Sequence, residues 1–303
     1  GVLLPTFDPL GLGTPPVVMA ARVAEELGFD AAWAGDHLIG VAAVLDSLCS
    51  LAAAAAVTSR IQLGVSVIQA GLRNPAWLAK QLATIDALAP GRLRVGVGVG
   101  GEYPSEFDAA GVSLSDRGRR LDEILEVLPA LLRGEPVAYD GPLLHVHVSG
   151  LRPAVSALPS ISVGGRSDAA IQRAARYGDQ WLTMWHDPHT IDERAHRMAA
   201  MAAELGRSAP SIGLLILVNV DDDVARARRD ADAMIAGQYR MPLRVVDRWT
   251  ACGPAERVAA MLQEYRDAGV NEFVLMPAAR DPIGQYPRLV EVRELVDSRA
   301  AKG

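Results

Sequence analysis

Glu25-Glu26-Leu27-Gly28-Phe29-Asp30-Ala31-Ala32-Trp33 runs from the end of a helix through a glycine and a short turn into an apolar strand. The same joint returns at residues 174–182 and 266–274. In each copy we expect the glycine to cap the helix in the left-handed conformation and the following Asp or Asn to form the turn. Joints this short require parallel strands that are connected by helices.

Apolar runs between these joints predict eight strands that are buried on both faces, at residues 2–4, 31–34, 61–67, 93–99, 161–164, 181–184, 212–220 and 273–276. Helices are expected at residues 16–27, 45–57, 75–88, 115–132, 168–177, 191–205, 254–268 and 287–296. This alternation favours an α/β fold, a closed (β/α)8 TIM barrel in which residues 1–303 form a single domain. An open nucleotide-binding sheet is the alternative, but no GxGxxG motif opens a helix after the first strand.

Two segments are additional to the eight strand–helix units. Residues 135–153 carry Asp140-Gly141-Pro142 between short apolar stretches, which predicts a hairpin insertion before strand 5. Residues 221–238 have the pattern of an amphipathic helix and are expected to form an extra helix after strand 7.

The net charge of −6 argues against general electrostatic binding of nucleic acid or of an anionic membrane. The two cysteines, Cys49 and Cys252, lack CxxC spacing, which favours a reducing cytoplasm over a disulfide or zinc framework. The longest apolar stretch, residues 51–57, is too short to span a bilayer. We therefore expect a cytoplasmic protein whose partner is a small-molecule substrate.

Asp36-His37 follows the second predicted strand. Residues at the carboxyl ends of barrel strands line the active-site mouth. An imidazole there, with a carboxylate beside it, is placed for proton transfer near neutral pH. The alternative is a histidine that only hydrogen-bonds a loop.

Glycines occupy alternate positions of the fourth predicted strand, at Gly96, Gly98 and Gly100. One face of this strand therefore has no side chains. The spacing alone leaves two explanations open, the close approach of a neighbouring backbone and a flat ligand lying on that face.

Gly164-Gly165-Arg166-Ser167 follows the fifth predicted strand and opens a helix. Free backbone N–H groups and the positive end of the helix converge there, which is the arrangement of an anion site. Ser167 can cap the helix and Arg166 can pair with phosphate. An ordinary turn with an N-cap serine is the alternative.

His145-Val146-His147 places two imidazoles on one face of a strand, which could hold a metal ion. Their place on a hairpin, without a third ligand nearby in sequence, favours an exposed hairpin face, and we expect no metal site. Trp185-His186 comes at the end of the sixth strand, at the predicted mouth, where it could contact substrate.

Taken together, these motifs resemble the bacterial luciferase-like monooxygenase family, in particular its coenzyme F420-dependent oxidoreductases. The resemblance rests on Gly-Asp-His at strand two, Asn-Pro after strand three, the Gly-rich strand four with its Arg-Gly-Arg-Arg-Leu-Asp-Glu helix, and the Gly-Gly-Arg-Ser turn. It implies a luciferase-like (β/α)8 barrel with a cofactor ring in its mouth, and the family's members are often homodimers.

Residue by residue, the resemblance implies that His37 lies beside the ring as a general acid or charge stabiliser, and that Asp36 hydrogen-bonds the ring. Ser66-Val67 matches the site of a non-prolyl cis peptide against the ring. The cofactor-binding set that it implies is Asp36, Ser66, Val67, Ile68, Val99, Gly100, Gly164, Gly165, Arg166 and Ser167. The predicted catalytic pair is His37 and Asp36, and the predicted substrate-binding residues are Glu102, Trp185 and His186.

One position departs from the family pattern. Some relatives that act on sugar phosphates carry a glutamate directly after the second glycine of strand four, where this chain has Gly101. Glu102 comes one residue later. A sugar-phosphate substrate is therefore disfavoured, and the acid role of that glutamate does not carry over directly.

The resulting expectation is an oxidoreductase that transfers a hydride between coenzyme F420 and a small organic substrate. The alternative within the same fold is an FMN-dependent monooxygenase that uses reduced flavin and oxygen. Two rivals remain, a metal-dependent barrel hydrolase using Asp36, His37 and His186, and a flavin-binding protein without catalysis.

Overall fold

The computed structural model describes residues 1–13 and 16–300. Its strands, numbered in chain order, are β1 (Val2–Leu3), β2 (Phe7–Asp8), β3 (Ala31–Ala34), β4 (Ala43–Val44), β5 (Gln62–Gln69), β6 (Leu93–Gly98), β7 (Val137–Asp140), β8 (His145–Val148), β9 (Ser160–Gly164), β10 (Gln180–Thr183), β11 (Ser211–Val220), β12 (Thr250–Gly253) and β13 (Glu272–Pro277).

The α-helices of the described residues are α1 (Val17–Glu26), α2 (Ser47–Ala55), α3 (Pro75–Leu88), α4 (Pro104–Ala110), α5 (Arg117–Leu132), α6 (Asp168–Tyr177), α7 (Pro188–Glu204), α8 (Val224–Tyr239), α9 (Ala255–Asp267) and α10 (Gln285–Ala300). Local signals explain several helix starts. Asn74 accepts hydrogen bonds from the backbone N–H groups of Ala76 and Trp77, and Pro75 occupies the first turn of α3. None of the described helices combines the length and apolar character needed to cross a membrane.

Eight parallel strands close into a barrel in the order β1-β3-β5-β6-β9-β10-β11-β13, and β13 pairs back with β1. The eight strands are those expected from the apolar runs, and the structure confirms the (β/α)8 barrel. β12 was not expected. It pairs with the second half of β11, where Leu217 lies opposite Thr250.

Both predicted additions are present. β7 and β8 form an antiparallel hairpin between α5 and β9, with Asp140 opposite His145. α8 follows β11 and precedes β12. A second small sheet pairs β2 with β4. The segment before α1 and the segment after β3 therefore meet beside the barrel mouth.

Two of the three glycine joints behave as expected, since Gly28 and Gly269 have φ of 71° and 90°. The expectation is wrong for Gly178, whose φ is −90° and whose backbone is extended. Close packing explains that glycine instead. A Cβ at Gly178 would lie 3.0 Å from the Ala174 carbonyl oxygen and 3.1 Å from Val163 Cγ2.

Strand residues alternate between two apolar clusters, as the period-two geometry of a strand requires. Ala32 and Ala34 pack with the surrounding helices, whereas Ala31 and Trp33 belong to a cluster that includes Leu182 and Val274 of other strands. Trp33 is fully buried. The inner layer is therefore a packed core, and the space above it is available for a site.

Candidate active site

A cavity of about 620 Å³ opens at the carboxyl end of the barrel. It is lined by eight of the predicted site residues, namely Asp36, His37, Ser66, Val67, Gly100, Glu102, Arg166 and Trp185. Apolar residues complete its wall, among them Leu3, Phe7, Leu215, Tyr239, Met241 and Met276. The barrel therefore brings together residues from β1, β5, β11 and β13 and from the loops that follow β3, β6, β9 and β10.

A second cavity, of about 790 Å³, lies at the amino end of the barrel. Its wall includes Arg94 and Glu272, whose side chains form an ion pair at 2.5 Å. Gln180 donates a further hydrogen bond to Glu272. These polar groups satisfy one another, and barrel active sites form at the opposite end.

His37 stands between two carboxylates. Its Nδ1 lies 3.1 Å from Oε1 of Glu106, and its Nε2 lies 3.7 Å from Oε2 of Glu102. The ring also meets Tyr103 and Phe7 edge-on, with centroids 5.0 and 5.9 Å away. Only 16% of the His37 side chain is exposed. The imidazole is thus held by its surroundings and presents Nε2 to the cavity.

The two carboxylates beside His37 differ in environment. Glu102 is only partly buried, with 41% of its side chain exposed. This partial burial raises its pKa, and the nearby Glu106 charge raises it further, against the lowering effects of His37 and Arg166. Burial also raises the pKa of Glu106, but hydrogen bonds from His37, the Ile39 N–H and Gln69 lower it by more, so its net shift is downward. Two carboxylates whose pKa values are pushed apart can serve as a proton donor and a fixed anion.

Asp36 is buried, and its carboxylate oxygens already accept hydrogen bonds from the protein. Oδ1 accepts from Ser47 Oγ and Arg73 Nη2, both at 2.6 Å, and Oδ2 accepts from the Gln69 N–H at 3.0 Å. These contacts tie together α2, the end of β5 and the segment before α3. A contact between Asp36 and a cofactor ring stays a prediction. The observed hydrogen bonds of Asp36 instead hold neighbouring segments of the protein together.

Ser66 and Val67 are joined by a cis peptide bond, at the position that the resemblance implied. The register between β5 and β6 shifts between Val65 and Ile68. Val67 projects toward three glycines of neighbouring strands. A Cβ added at Gly96, Gly98 or Gly164 would lie 3.2, 2.5 or 2.8 Å from a Val67 methyl group.

The glycine face of β6 is therefore explained by packing rather than by a ligand lying directly on it. Gly96 also approaches the Val65 carbonyl oxygen, which a Cβ would meet at 2.2 Å. Val67 fills the space that the glycines leave and itself lines the cavity. Any ring in the cavity would meet Val67, and not the bare backbone of β6.

Trp185 adopts φ of 53°, in the left-handed region that a bulky side chain rarely occupies. Its ring lines the cavity, contacts Tyr239 edge-on at 5.2 Å and lies under the Arg166 guanidinium at 5.2 Å. Strained backbone of this kind is common at functional sites. The structure thus places Trp185 and Arg166 together in the cavity wall.

His186 is absent from the wall of this cavity, and its predicted role in substrate binding stays a prediction. Its Nδ1 lies 2.9 Å from Thr183 Oγ1, and its ring packs against Trp181. Burial, with Arg194 and Arg166 nearby, lowers the pKa of His186 to about 4. This arrangement also separates His186 from the Asp36 and His37 pair that the metal-hydrolase alternative needs.

Five of the predicted cofactor residues are also outside the cavity wall, namely Ile68, Val99, Gly164, Gly165 and Ser167. Ile68 and Val99 pack with the cluster that faces the helices, and Gly164 is buried beneath Val67. In the turn that follows, the Gly165 N–H donates to the Leu182 carbonyl, and Ser167 Oγ caps α6 by accepting from Ala170 N–H. The predicted phosphate contact of this turn stays a prediction that rests on Arg166 and the remaining N–H groups.

Several site residues were not identified from the sequence. Glu106 and Gln69 contact His37, and Tyr239 and Met241 reach the cavity from the end of α8 and the residues after it.

His145 and His147 both contact Asp140 on the exposed hairpin, at 3.0 and 2.9 Å. Within residues 1–13 and 16–300, no group of three or more His, Cys, Asp or Glu side chains forms a candidate metal site.

A histidine flanked by carboxylates lies at the carboxyl mouth of this (β/α)8 barrel, the end at which barrel active sites form. The luciferase-like monooxygenase family model matches residues 1–272. This chain therefore belongs to the luciferase-like monooxygenase family, as the sequence motifs indicated.

Individual relatives add detail. An uncharacterised protein of Mycobacterium tuberculosis is 32% identical over 166 residues, which cover 55% of this chain, and the chain spans only 57% of that relative. An F420-dependent glucose-6-phosphate dehydrogenase of Nocardia farcinica is 27% identical, covering 89% of this chain and 90% of the relative. The fold matches an F420-dependent secondary alcohol dehydrogenase in complex with an F420-acetone adduct, with a TM-score of 0.83, 22% identity and coverage of 92% and 94%.

Proposed function

We propose that the chain is an oxidoreductase that transfers a hydride between coenzyme F420 and a small organic substrate. The observation that carries the proposal is the position of His37 Nε2, which faces Glu102 at 3.7 Å in the same cavity as Val67 and Trp185. The F420-dependent relative from Nocardia farcinica supports the choice of cofactor.

Unpartnered polar atoms in the cavity wall fit a cofactor with a polar ring. Within the described residues, Ser66 Oγ and Trp185 Nε1 are buried without a hydrogen-bond partner. Buried polar groups are normally paired, so a ligand atom that reaches either group after a small side-chain movement would satisfy it. Ser66 and Trp185 would hold the ring edge, Val67 would support its face and Arg166 would meet the charged tail.

Coenzyme F420 supplies the hydride chemistry when it is bound. The protein's part is to move the proton that accompanies the hydride. Glu102 keeps its proton to higher pH than a free glutamate because of burial and the Glu106 charge. His37 and Glu102 can therefore share one proton and exchange it with the substrate oxygen. Leu215, Met241 and other apolar residues of the wall exclude water from this exchange.

The proposal is tested by titrating the protein with F420 and with FMN, each followed by fluorescence quenching. We expect saturable F420 binding, weakened about 3- to 10-fold in Trp185→Phe by the loss of one hydrogen bond. Trp77→Phe is the matched control, because Trp77 is 70% exposed on α3 and outside the cavity. Absence of F420 binding below millimolar concentrations would refute the proposal.

The FMN-dependent monooxygenase is the second candidate, and the family's own description favours it. Tight FMN binding, with oxygen consumption by the reduced flavin complex, would select it over the F420 enzyme. A catalytically silent flavin-binding protein would bind a cofactor, but it would show no turnover and no effect of His37→Gln.

A further inference from the structure

We propose that Glu106 is the positioning residue of this site: its buried carboxylate accepts the Nδ1–H of His37 and the N–H groups of Leu38 and Ile39, so that Nε2 is the histidine nitrogen that exchanges protons. The proposal rests on the proposed function of His37. It concerns a residue that does not line the cavity, that acts through the histidine and that also affects Glu102 by its charge.

Glu106 is completely buried in the first turn of α4. Its Oε1 accepts from Leu38 N at 2.7 Å and from Ile39 N at 3.1 Å, and the same oxygen lies 3.1 Å from His37 Nδ1. An ionised carboxylate can only accept hydrogen bonds, so the Leu38 and Ile39 N–H groups donate to it, and Nδ1 can bond to it only if Nδ1 carries a hydrogen. Three consecutive residues after β3 are thus held by one side chain.

Gln69 decides which His37 nitrogen carries the hydrogen. Its Nε2 lies 3.1 and 3.0 Å from the two oxygens of Glu106, 3.4 Å from the Asp36 carbonyl and 2.9 Å from His37 Nδ1. Since the Glu106 oxygens accept only, the amide must turn its NH₂ group toward them. Its Oε1 then points at Gly100, where a Cβ would lie 2.1 Å away.

Two arrangements of hydrogens remain, and one is electrostatically poor. If Gln69 donates to Nδ1, the Nδ1 lone pair faces Oε1 of Glu106 at 3.1 Å, so two acceptors repel each other. If Nδ1–H donates to Glu106, the two amide hydrogens of Gln69 go to Glu106 and to the Asp36 carbonyl. Nδ1 and Gln69 Nε2 are then two donors 2.9 Å apart, but their hydrogens point to separate acceptors. The first arrangement instead sets a lone pair against a negatively charged carboxylate, so the second arrangement is favoured. Nε2 is left free to face Glu102.

The nitrogen of His37 that carries the hydrogen can be identified by NMR of ¹⁵N-histidine-labelled protein at alkaline pH. The His37 signals are assigned from the His37→Gln variant. We expect the hydrogen on Nδ1, with Nε2 unprotonated. A neutral ring with its hydrogen on Nε2 would overturn the proposal. This measurement needs no cofactor, so it stands even if the proposed function fails.

Glu106→Gln supplies the second arm, with Asp108→Asn on the same helix as a matched control that removes an exposed charge. We expect Glu106→Gln to lose the preference for Nδ1–H and to lower kcat by about 10²-fold or more, since a wrong tautomer disables a histidine base. F420 affinity should change less than about 3-fold, because Glu106 does not line the cavity. An unchanged tautomer or kcat in Glu106→Gln would overturn the proposal, and the wild-type spectrum decides alone if that variant does not fold.

Discussion

Replacing Gly98 with alanine tests whether the glycines of β6 make room for Val67. The new Cβ would lie 2.5 Å from Val67 Cγ2, where ordinary contacts are 3.4–4 Å. Val67 must therefore move by about 1 Å, or the strands must separate. Overpacking of this kind costs about 1–3 kcal/mol. Because Val67 lines the cavity, its displacement should also weaken cofactor binding.

The assay is a double-mutant cycle by urea denaturation, with Gly98→Ala, Val67→Ala and the double variant. Removing the Val67 methyl groups should relieve the overlap, so we expect the combined cost to be at least about 1 kcal/mol smaller than the sum of the single costs. Gly71→Ala is the control, since its Cβ would meet only the Arg117 carbonyl oxygen at 3.7 Å. Additive costs would refute the packing explanation.

Three further predictions concern other residues. Burial raises the pKa of Glu25, but the N–H groups of residues 59–61 lower it by more, to about 2. The ionised carboxylate therefore stabilises the native state fully above pH 4.5, and this stabilisation is lost as pH falls toward 2. Glu25→Gln should cost about 1–2 kcal/mol at pH 7 by urea denaturation and almost nothing near pH 2, with the exposed Glu26→Gln as a control that stays within about 0.5 kcal/mol. The pKa of His186 is lowered from 6.5 to about 4, so the native state loses up to about 3 kcal/mol as pH falls through that window. His186→Gln should remove this part of the pH dependence in thermal unfolding. An unchanged curve would show that the pKa of His186 is not lowered in the native state. His37→Gln should lower kcat by about 10²–10⁴-fold while F420 still binds, and full activity in that variant would remove the histidine from the mechanism.

Much of the fold follows from the chain's periodicity. Strands buried on both faces leave continuous apolar runs, and short glycine joints force parallel pairing, so the eight barrel strands were predictable. The strand at 61–67 extends further than expected, to Gln69. That difference matters, because Gln69 is the residue that contacts Asp36, His37 and Glu106.

The site was predictable only in part, for physical reasons that differ between residues. His37 and Glu102 follow barrel strands, and topology alone places them at the mouth. Glu106 lies on a seven-residue helix without a strong hydrophobic pattern. The sequence predicts an exposed acidic residue there, and only the structure shows that Glu106 is buried. Alternate glycines look the same in sequence whether a valine or a ligand fills the space, so only coordinates separate the two.

A crystal structure of the protein with coenzyme F420 tests the proposed site most directly. We expect the cofactor ring in the carboxyl-end cavity, against Val67, with its polar edge meeting Ser66 and Trp185 and with His37 Nε2 and Glu102 at its reacting side. A ring bound elsewhere, such as the amino-end cavity beside Arg94 and Glu272, would show that the proposed site is wrong.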